Sequence, residues 1–436
     1  MTEKKRQITR RDFFRKTGRT AAGAGAAIAL PTIITSGALG NAHAAPANDR
    51  ILIGAIGCGG RGNGNLGNFL RHRDTKVIAV CDVDSRHSGR TRERVEKVNA
   101  EKCAEYTDFR KLLENKDIDA VLISTPDHWH ALPTILACDA GKDVYCEKPL
   151  TLFIAEGQAM VKAARKGRRV VQTGSQQRSS REFRHACELV RNGYLGKIKE
   201  VRVGIAGVNY KDPDNPDQPK PSELDYEMWL GPAPFRPYNP KHVHYYFRFF
   251  WDFSGGQMTN WGAHHLDIAQ WGLGMDNSGP VEITGVGKYD EKKRYEVPKW
   301  CEIHYTYANG IKMVCGQGEK MGTTFIGEKG TIYVNRGKLE STPEDIVKQT
   351  IKDSDEKLYY STNHYGNWIE CVKERRMPIC DVAIGHRSAT VCHLGNIAVR
   401  SGKKVLWDPE KEEMKDPSMA EWVKKDYRDP WELPYV

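Results

Sequence analysis

Two adjacent histidines stand in the segment GGQMTNWGAHHLDIAQWG, in the second half of the 436-residue chain. A helix over residues 258–273 would place Asn260, His264 and Asp267 on one face, because residues three and four apart are neighbours on a helix. His265 would lie on another face, where it packs or contacts a substrate. A neutral imidazole accepts a proton near pH 7. The spacing therefore predicts a face directed at a site, with His264 as its general base.

A lysine lies in a second segment suited to chemistry. CEKPL carries Lys148 directly after a predicted strand, and STPDHWH, at 124–130, follows the strand before it. The carboxyl ends of parallel strands form one sheet edge, where ligands of such folds bind. An ammonium there can hydrogen-bond a substrate hydroxyl and stabilise charge as its proton leaves. Lys148 is therefore predicted to be catalytic, with His128, Trp129 and His130 close to the reacting end.

A glycine-rich turn precedes both segments. Gly57, Gly59 and Gly62 fit the pattern G-x-G-x-x-G, after the first predicted strand and at the start of a helix. Such glycines let the backbone approach a pyrophosphate at the helix N-terminus. Asp82 ends the second strand, where a carboxylate bonds ribose hydroxyls, so the pattern favours NAD, and Arg86 leaves NADP as the alternative. The other residues expected at the cofactor are Gly60, Arg61, Thr125, Pro126, His130, Glu147, Lys148 and Gln176.

Short apolar segments alternate with helical segments between residues 50 and 173. ILIGAIG, KVIAVCD, DAVLIST, DVYCEKP and RVVQTG are typical of strands buried on both faces, which predicts a parallel sheet with crossover helices. Later segments alternate in polarity, and CEIHYTYANGIKMVCGQG predicts a hairpin around Asn309-Gly310. The chain is therefore predicted to be α/β, with a parallel-sheet domain at 45–175. An α+β domain with an open, mostly antiparallel sheet and a C-terminal tail follows at 176–436.

A long segment rich in proline and aromatic residues, 209–256, interrupts the second domain. It is too long for a simple connection, which predicts a loop that lines the site. Arg178, after the last strand of the parallel sheet, is a further candidate substrate contact. Four aromatic side chains could stack on sugar faces or pack locally, and both interpretations stay open: Tyr210, Tyr245, Tyr246 and Trp251.

The first 44 residues predict export. TRRDFFRK, at 9–16, is a twin-arginine pattern, and a weakly hydrophobic stretch leads to a small-x-small cleavage site at 42–44. This leader carries +6 of the formal net charge of +10, so the remaining +4 does not favour a nucleic-acid partner. The sequence predicts a periplasmic protein with no membrane span in the mature chain.

The eleven cysteines show neither a C-x-x-C pair nor a paired Cys/His zinc spacing. His242 and His244, taken with His264 and His265, also lack a spaced ligand pattern, so no metal is expected. Twin-arginine substrates leave a reducing compartment already folded. Most cysteines are therefore predicted to be buried, small apolar residues without disulfides.

The ordered combination of the glycine-rich turn, TPDHWH, EKP and GG…NWGAHHLD resembles the Gfo/Idh/MocA family over essentially the whole mature chain. The resemblance implies a Rossmann domain, then an open-sheet domain, with a sugar or polyol in the cleft between them and a homo-oligomer formed through the sheet. It implies that Lys148 is the catalytic lysine and that His264 takes the hydroxyl proton. Asn260 stands where an aspartate often assists that histidine; an amide can hold the imidazole but cannot stabilise imidazolium as a carboxylate does.

Export and a dinucleotide site together constrain the function. Free NAD is not replenished outside the cytoplasm, so the protein is expected to carry its cofactor bound and to recycle it in place. One class that satisfies this is an oxidoreductase acting on a hydroxyl of a sugar, polyol or glycoside. The alternative is a redox-neutral glycosidase that removes a hydride and returns it at the same site. A non-catalytic sugar-binding protein on the same fold is the third class.

Overall fold

Two β-sheets organise the chain, one of six strands and one of nine. The computed structural model describes residues 45–46, 49–210 and 216–436, and the predicted leader at 1–44 lies outside the described residues. None of the helices described is both long enough and apolar enough to cross a membrane.

The first sheet is parallel throughout, with strand order β3-β2-β1-β4-β5-β6. Its strands are nearly all buried on both faces, as the apolar segments predicted, except the short edge strand β3, which the sequence analysis did not identify. In chain order the elements are β1 (Ile51–Ile56), α1 (Gly60–Arg71), β2 (Thr75–Cys81), α2 (Ser85–Asn99), β3 (Ala104–Tyr106), α3 (Phe109–Glu114), β4 (Ala120–Ile123), α4 (Ala131–Asp139), β5 (Asp143–Cys146), α5 (Ile154–Gly167) and β6 (Val171–Thr173).

The second sheet has the order β13-β12-β11-β7-β10-β9-β8-β14-β15 and is antiparallel except where β10 pairs with β7. The predicted hairpin is confirmed, with Gly310 at φ +82°. Its elements are α6 (Arg181–Arg191), β7 (Ile198–Gly204), α7 (Tyr226–Leu230), α8 (Gly256–Asn260), α9 (Gly262–Leu273), β8 (Pro280–Lys288), β9 (Trp300–Tyr307), β10 (Lys312–Gly316), β11 (Gly322–Gly327), β12 (Gly330–Asn335), β13 (Lys338–Thr342), α10 (His364–Glu374), α11 (Val382–Ser401), β14 (Val405–Asp408) and β15 (Glu413–Met414).

Helix α10 returns to the first domain. Trp368 is fully buried and packs edge-on against Phe69 of α1 and Tyr145 of β5, at ring-centroid distances of 5.5 and 5.9 Å. The N-terminal core is therefore completed by residues from the predicted second domain. All eleven cysteines are buried and free, as the sequence predicted.

The predicted single helix over 258–273 is wrong in one respect, because it breaks at Trp261 into α8 and α9. The backbone N–H of His264 bonds the carbonyl of Trp261 at 3.0 Å, a tighter turn than that of an α-helix. A helix end leaves carbonyl groups without intrahelical partners. The break therefore leaves the Asn260 carbonyl at a helix end, where a side chain can bond it.

Candidate active site

A cavity of about 950 Å³ lies between the two domains and takes its lining from both. It combines the carboxyl edge of the parallel sheet with α8, α9, the β12–β13 turn and part of the long aromatic segment. Most of the residues predicted for the site line it: Gly57, Gly59, Gly60, Arg61, Asp82, Thr125, Pro126, Trp129, His130, Glu147, Lys148, Gln176, Tyr245, Asn260 and His264.

The glycine-rich turn has the shape that a dinucleotide needs. Gly57 has φ +87°, and a Cβ on Gly62 would lie 1.9 Å from the Gly57 carbonyl oxygen, so both positions require glycine. A Cβ on Gly60 would meet nothing within 4 Å. Helix α1 begins there without a side-chain cap, which leaves its first N–H groups available to an anion. These residues fit a bound pyrophosphate.

Asp82 lies at the end of β2, beside this turn. Its carboxylate accepts hydrogen bonds from the backbone N–H groups of Cys58 (2.6 Å) and Asp84 (2.9 Å), while burial raises its pKa. Arg86 does not line the cavity; its guanidinium donates to both carboxylate oxygens of Asp84, at 3.1 and 2.8 Å. Arg86, on which the NADP alternative depended, is thus already paired with a neighbouring carboxylate.

Lys148 is held across the cavity by Asn260. Its Nζ donates to the Asn260 carbonyl oxygen at 3.0 Å and to the side-chain oxygen at 2.9 Å. Burial lowers the pKa of Lys148 to about 8, although Glu147 and Asp127 oppose that shift. Lys148 is therefore a pre-positioned ammonium that can lose its proton within the ordinary working range of an enzyme.

Glu147, which directly precedes Lys148, connects the end of β5 to helix α1 and to the segment that follows β6. Its carboxylate accepts from Arg61 Nε (3.0 Å), Asn65 (2.8 Å) and Gln176 (3.1 Å). Burial alone would raise the pKa of Glu147, but Arg61 and Lys148 hold it below the ordinary value. His130 adds a second link, since its ring nitrogens contact the carbonyls of Thr125 and Pro149 at 3.0 and 2.6 Å. These contacts fix the edge that carries the lysine.

His264 lines the same cavity from α9. Burial lowers its pKa well below 6.5, and the charges of Lys148 and Arg336 act in the same direction. Its buried Nδ1 has no hydrogen-bond partner in the described part of the chain. The ring is therefore neutral near pH 7 and has the character of a proton acceptor.

The expected pairing of Asn260 with His264 is not what the structure shows. The Asn260 amide nitrogen donates to Gln257 at 3.0 Å, and its oxygen accepts from Lys148. The amide thus orients the lysine instead of the imidazole. The physical reason is that Lys148 and Gln257 occupy the oxygen and the nitrogen of the amide, so neither is left for the imidazole.

Several predicted substrate residues do not line this cavity. Arg178 is buried and forms ion pairs with Asp267 (2.8 Å) and Asp276 (2.7 Å), so both it and Asp267 serve the interior of the domain. His265 is also buried and contacts the Gly204 carbonyl through Nδ1 at 2.7 Å, which favours the packing interpretation. The other predicted site residues outside the lining are Gly62, Arg86, His128, Tyr210, Tyr246 and Trp251.

The structure also brings residues to the cavity that the sequence analysis missed. Arg336 comes from the β12–β13 turn, Gln177 from the 3-10 helix Gln176–Ser179, and Arg248 from the 3-10 helix His244–Phe249. No local pattern marks Arg336 or Arg248, since each reaches the cavity only through the packing of its domain. Gln177 stands beside the predicted Gln176, and its place after β6 was the available signal.

One acid and two histidines gather at the adenosine end. The ligand atoms of Asp84, His87 and His244 lie within 4.8 Å of one another; of the four histidines considered in the sequence, only His244 belongs to this set. The Asp84 carboxylate also binds Arg86 through both oxygens. His244 comes from the long aromatic segment, so this cluster ties that segment to the end of β2.

Comparison with known proteins identifies the family. Residues 51–175 match the model of an oxidoreductase family with an NAD-binding Rossmann fold, and residues 181–433 match its C-terminal alpha/beta domain. The chain belongs to the Gfo/Idh/MocA oxidoreductase family. A Gfo/Idh/MocA fold accounts for the parallel sheet, the mostly antiparallel sheet and the cavity between them.

Relatives within this family include a myo-inositol 2-dehydrogenase of Thermotoga maritima, 33% identical over 40% of this chain and 47% of the relative. A glycosyl hydrolase family 109 protein of Shewanella pealeana is 29% identical over 44% of each chain. The chain thus spans less than half the length of these curated relatives. Among solved structures, an aldose-aldose oxidoreductase from Caulobacter crescentus has the same fold, with a TM-score of 0.61, 20% identity and coverage of 82% of this chain and 99% of that one.

Proposed function

We propose that this protein is an NAD-dependent oxidoreductase that acts on a hydroxyl group of a sugar, polyol or glycoside. One observation carries the proposal: Lys148 and His264 line the same cavity as the glycine-rich turn and Asp82. A group that can bind a hydroxyl and a group that can accept its proton therefore line the same cavity as the residues that fit a dinucleotide.

The two side chains have complementary protonation states. Lys148, with a pKa of about 8, is mostly an ammonium at neutral pH and hydrogen-bonds the substrate oxygen. His264 is neutral at the same pH and takes the hydroxyl proton. Asn260 keeps Lys148 in place through two hydrogen bonds. A bound nicotinamide would supply the hydride acceptor.

The choice of NAD rests on the carboxylate of Asp82 at the ribose end, which would repel a 2′-phosphate. The pairing of Arg86 with Asp84 supports this choice, because that guanidinium is already engaged. Equilibrium binding of NAD and NADP to protein stripped of nucleotide is the direct test. Tighter binding of NADP would contradict the proposal.

We also propose export by the twin-arginine route, a periplasmic location, a homo-oligomer and a retained, recycled cofactor. Retention is supported by the contacts between the long aromatic segment and the end of β2. Ser85 N–H donates to the Glu223 carbonyl and Asp225 N–H to the Val83 carbonyl, both at 2.9 Å. His244, Tyr245 and Arg248 of this segment line the cavity, so these contacts would hinder the release of a dinucleotide bound there.

The experiment for the main proposal starts from protein purified from periplasm. Denaturation should release close to one dinucleotide per chain, and addition of sugars or polyols should change absorbance at 340 nm in a single turnover. Protein with no nucleotide, to which added NAD binds only loosely, would contradict retention. Failure of every carbohydrate to change the bound nicotinamide would contradict the oxidoreductase.

A redox-neutral glycosidase is the second candidate. It is favoured by relatives named glycosyl hydrolase family 109 proteins, one of which is 30% identical over 44% of this chain. An aryl glycoside distinguishes the two: release of the phenol in many turnovers, with no net NADH and no added acceptor, would establish the glycosidase. Replacement of Lys148 should abolish either reaction, whereas a non-catalytic sugar-binding protein would keep its function.

A further inference from the structure

We propose that the substrate carries a negatively charged group, such as the carboxylate of a uronic acid or a sugar phosphate, and that Arg336 binds it. This inference rests on the proposed function and names the substrate class for the same site. Arg336 lies at the tip of the β12–β13 hairpin and lines the cavity that contains Lys148 and His264.

The guanidinium of Arg336 is held by two contacts. Its central carbon, Cζ, lies over the ring of Trp261, 5.0 Å from the ring centroid. The Gln177 side chain, in the amide orientation that satisfies both of its neighbours, accepts from Arg336 Nε at 3.2 Å and donates to the His264 carbonyl at 2.9 Å. The Nε edge of the guanidinium is thereby held, although the side chain as a whole is exposed, so part of its freedom is already lost before a ligand binds.

The two Nη groups of Arg336 make no hydrogen bond and no ion pair within the described ranges. The nearby Glu182 carboxylate accepts instead from the backbone N–H of Gly337, at 3.2 Å. Arg61, whose like charge repels that of Arg336, is paired with Glu147. A fixed guanidinium with two free N–H groups matches a carboxylate or phosphate, which it can bind through two parallel hydrogen bonds.

The neighbourhood of Arg336 is cationic. Lys148 and Arg336 both lower the pKa of His264, which places two positive charges within electrostatic range of one imidazole. Glu147 and Asp127 already compensate part of the Lys148 charge, whereas Arg336 has no acidic partner in the described ranges, and an anionic sugar would supply one. The anion would also fix which sugar carbon faces the reacting groups, since one end of the ring would be anchored.

The test compares matched sugars in the cofactor-loaded protein. Glucose, glucuronate and glucose 6-phosphate are assayed by single-turnover absorbance at 340 nm in wild type, Arg336→Gln, Arg336→Lys and Lys338→Gln. Lys338 lies on the same hairpin, is exposed and does not line the cavity. The second-order rate constant of the single turnover, taken for the preferred anionic sugar relative to glucose, should fall roughly ten- to hundred-fold in Arg336→Gln. Arg336→Lys should recover part of it, and Lys338→Gln should leave it unchanged.

Two results would overturn the inference while leaving the proposed function intact. One is turnover of glucose equal to that of both anions in wild type. The other is an equal loss for all three sugars in Arg336→Gln, accompanied by faster release of the dinucleotide, which would assign Arg336 to the cofactor. If no sugar is oxidised, the proposed function fails. Calorimetric titration with glucuronate and glucose 6-phosphate then tests the anion site by itself. Binding that Arg336→Gln abolishes supports the anion site, and no binding of either overturns it.

Discussion

The two walls of the cavity are built in different ways. On the Rossmann wall the glycine-rich turn presents backbone, and the guanidinium of Arg61 is already paired with the carboxylate of Glu147. On the opposite wall the two Nη groups of Arg336 have no partner in the described chain, and the imidazole of His264 has an unpartnered, buried Nδ1. Backbone groups and paired charges suit the cofactor, which is the same in every reaction cycle. Unpartnered side-chain groups remain available to hydrogen-bond a substrate. Lys148 joins the two walls through Asn260.

The largest expected effect comes from removing the group that joins the walls. Lys148→Met deletes the ammonium that binds the hydroxyl, and single-turnover rates should fall roughly 10²- to 10⁴-fold. Cofactor content should stay near wild type, because the glycine-rich turn is untouched. Lys111→Met, at an exposed lysine of the same domain, is the matched control. A rate within threefold of wild type would remove Lys148 from the chemistry.

The stability of the substrate-binding domain should depend strongly on the buried charge of Arg178. Arg178→Met leaves the buried Asp267 without its cation, which should lower the free energy of unfolding by about 3–5 kcal/mol. Asp276→Asn removes a partly exposed partner and should cost less. Chemical denaturation followed by tryptophan fluorescence measures both. Equal, small losses would show that the buried pair is not needed for stability.

The Rossmann wall should be sensitive to backbone clearance. Gly62→Ala puts a Cβ 1.9 Å from the Gly57 carbonyl oxygen, so the turn must shift, and dinucleotide affinity should fall roughly ten- to hundred-fold. Gly64→Ala adds the same methyl group two residues later, where nothing lies within 4 Å, and should bind normally. Calorimetry with NAD on nucleotide-free protein gives both constants. Equal affinities would contradict the proposed cradle.

The smallest effect is a shift in pH dependence. Wild-type kcat/KM should decline above about pH 8 as Lys148 loses its proton, and should show no acid limb until well below pH 6.5, because His264 stays neutral. Asn260→Asp places a carboxylate beside Lys148, which raises its pKa and should move the alkaline decline upward by about 1–3 units. Asn309→Asp, in an exposed turn, should leave the profile unchanged. An unmoved limb in Asn260→Asp would show that another group controls it.

Much of the Rossmann wall could be predicted because its signals are local. A tight turn, a helix start and a strand end each depend on a few consecutive residues, so Gly57, Gly62 and Asp82 could be recognised by spacing alone. The order of strands then put Lys148 at the same edge. The edge strand β3, short and exposed, lacked the buried pattern that identified the others.

Side-chain partners were decided by the tertiary structure. Sequence alone determined that Arg178 follows β6. The packing of α9 against the 3-10 helix that carries Arg178 then buried it with Asp267, so Arg178 stabilises the interior instead of contacting a substrate. The hairpin that carries Arg336 gave no local sign that its tip reaches the cavity, and the packing of the two domains placed Lys148, not His264, against the Asn260 amide. Backbone conformation follows from neighbours in the chain, whereas these contacts join residues far apart in sequence. They exist only after both domains have packed.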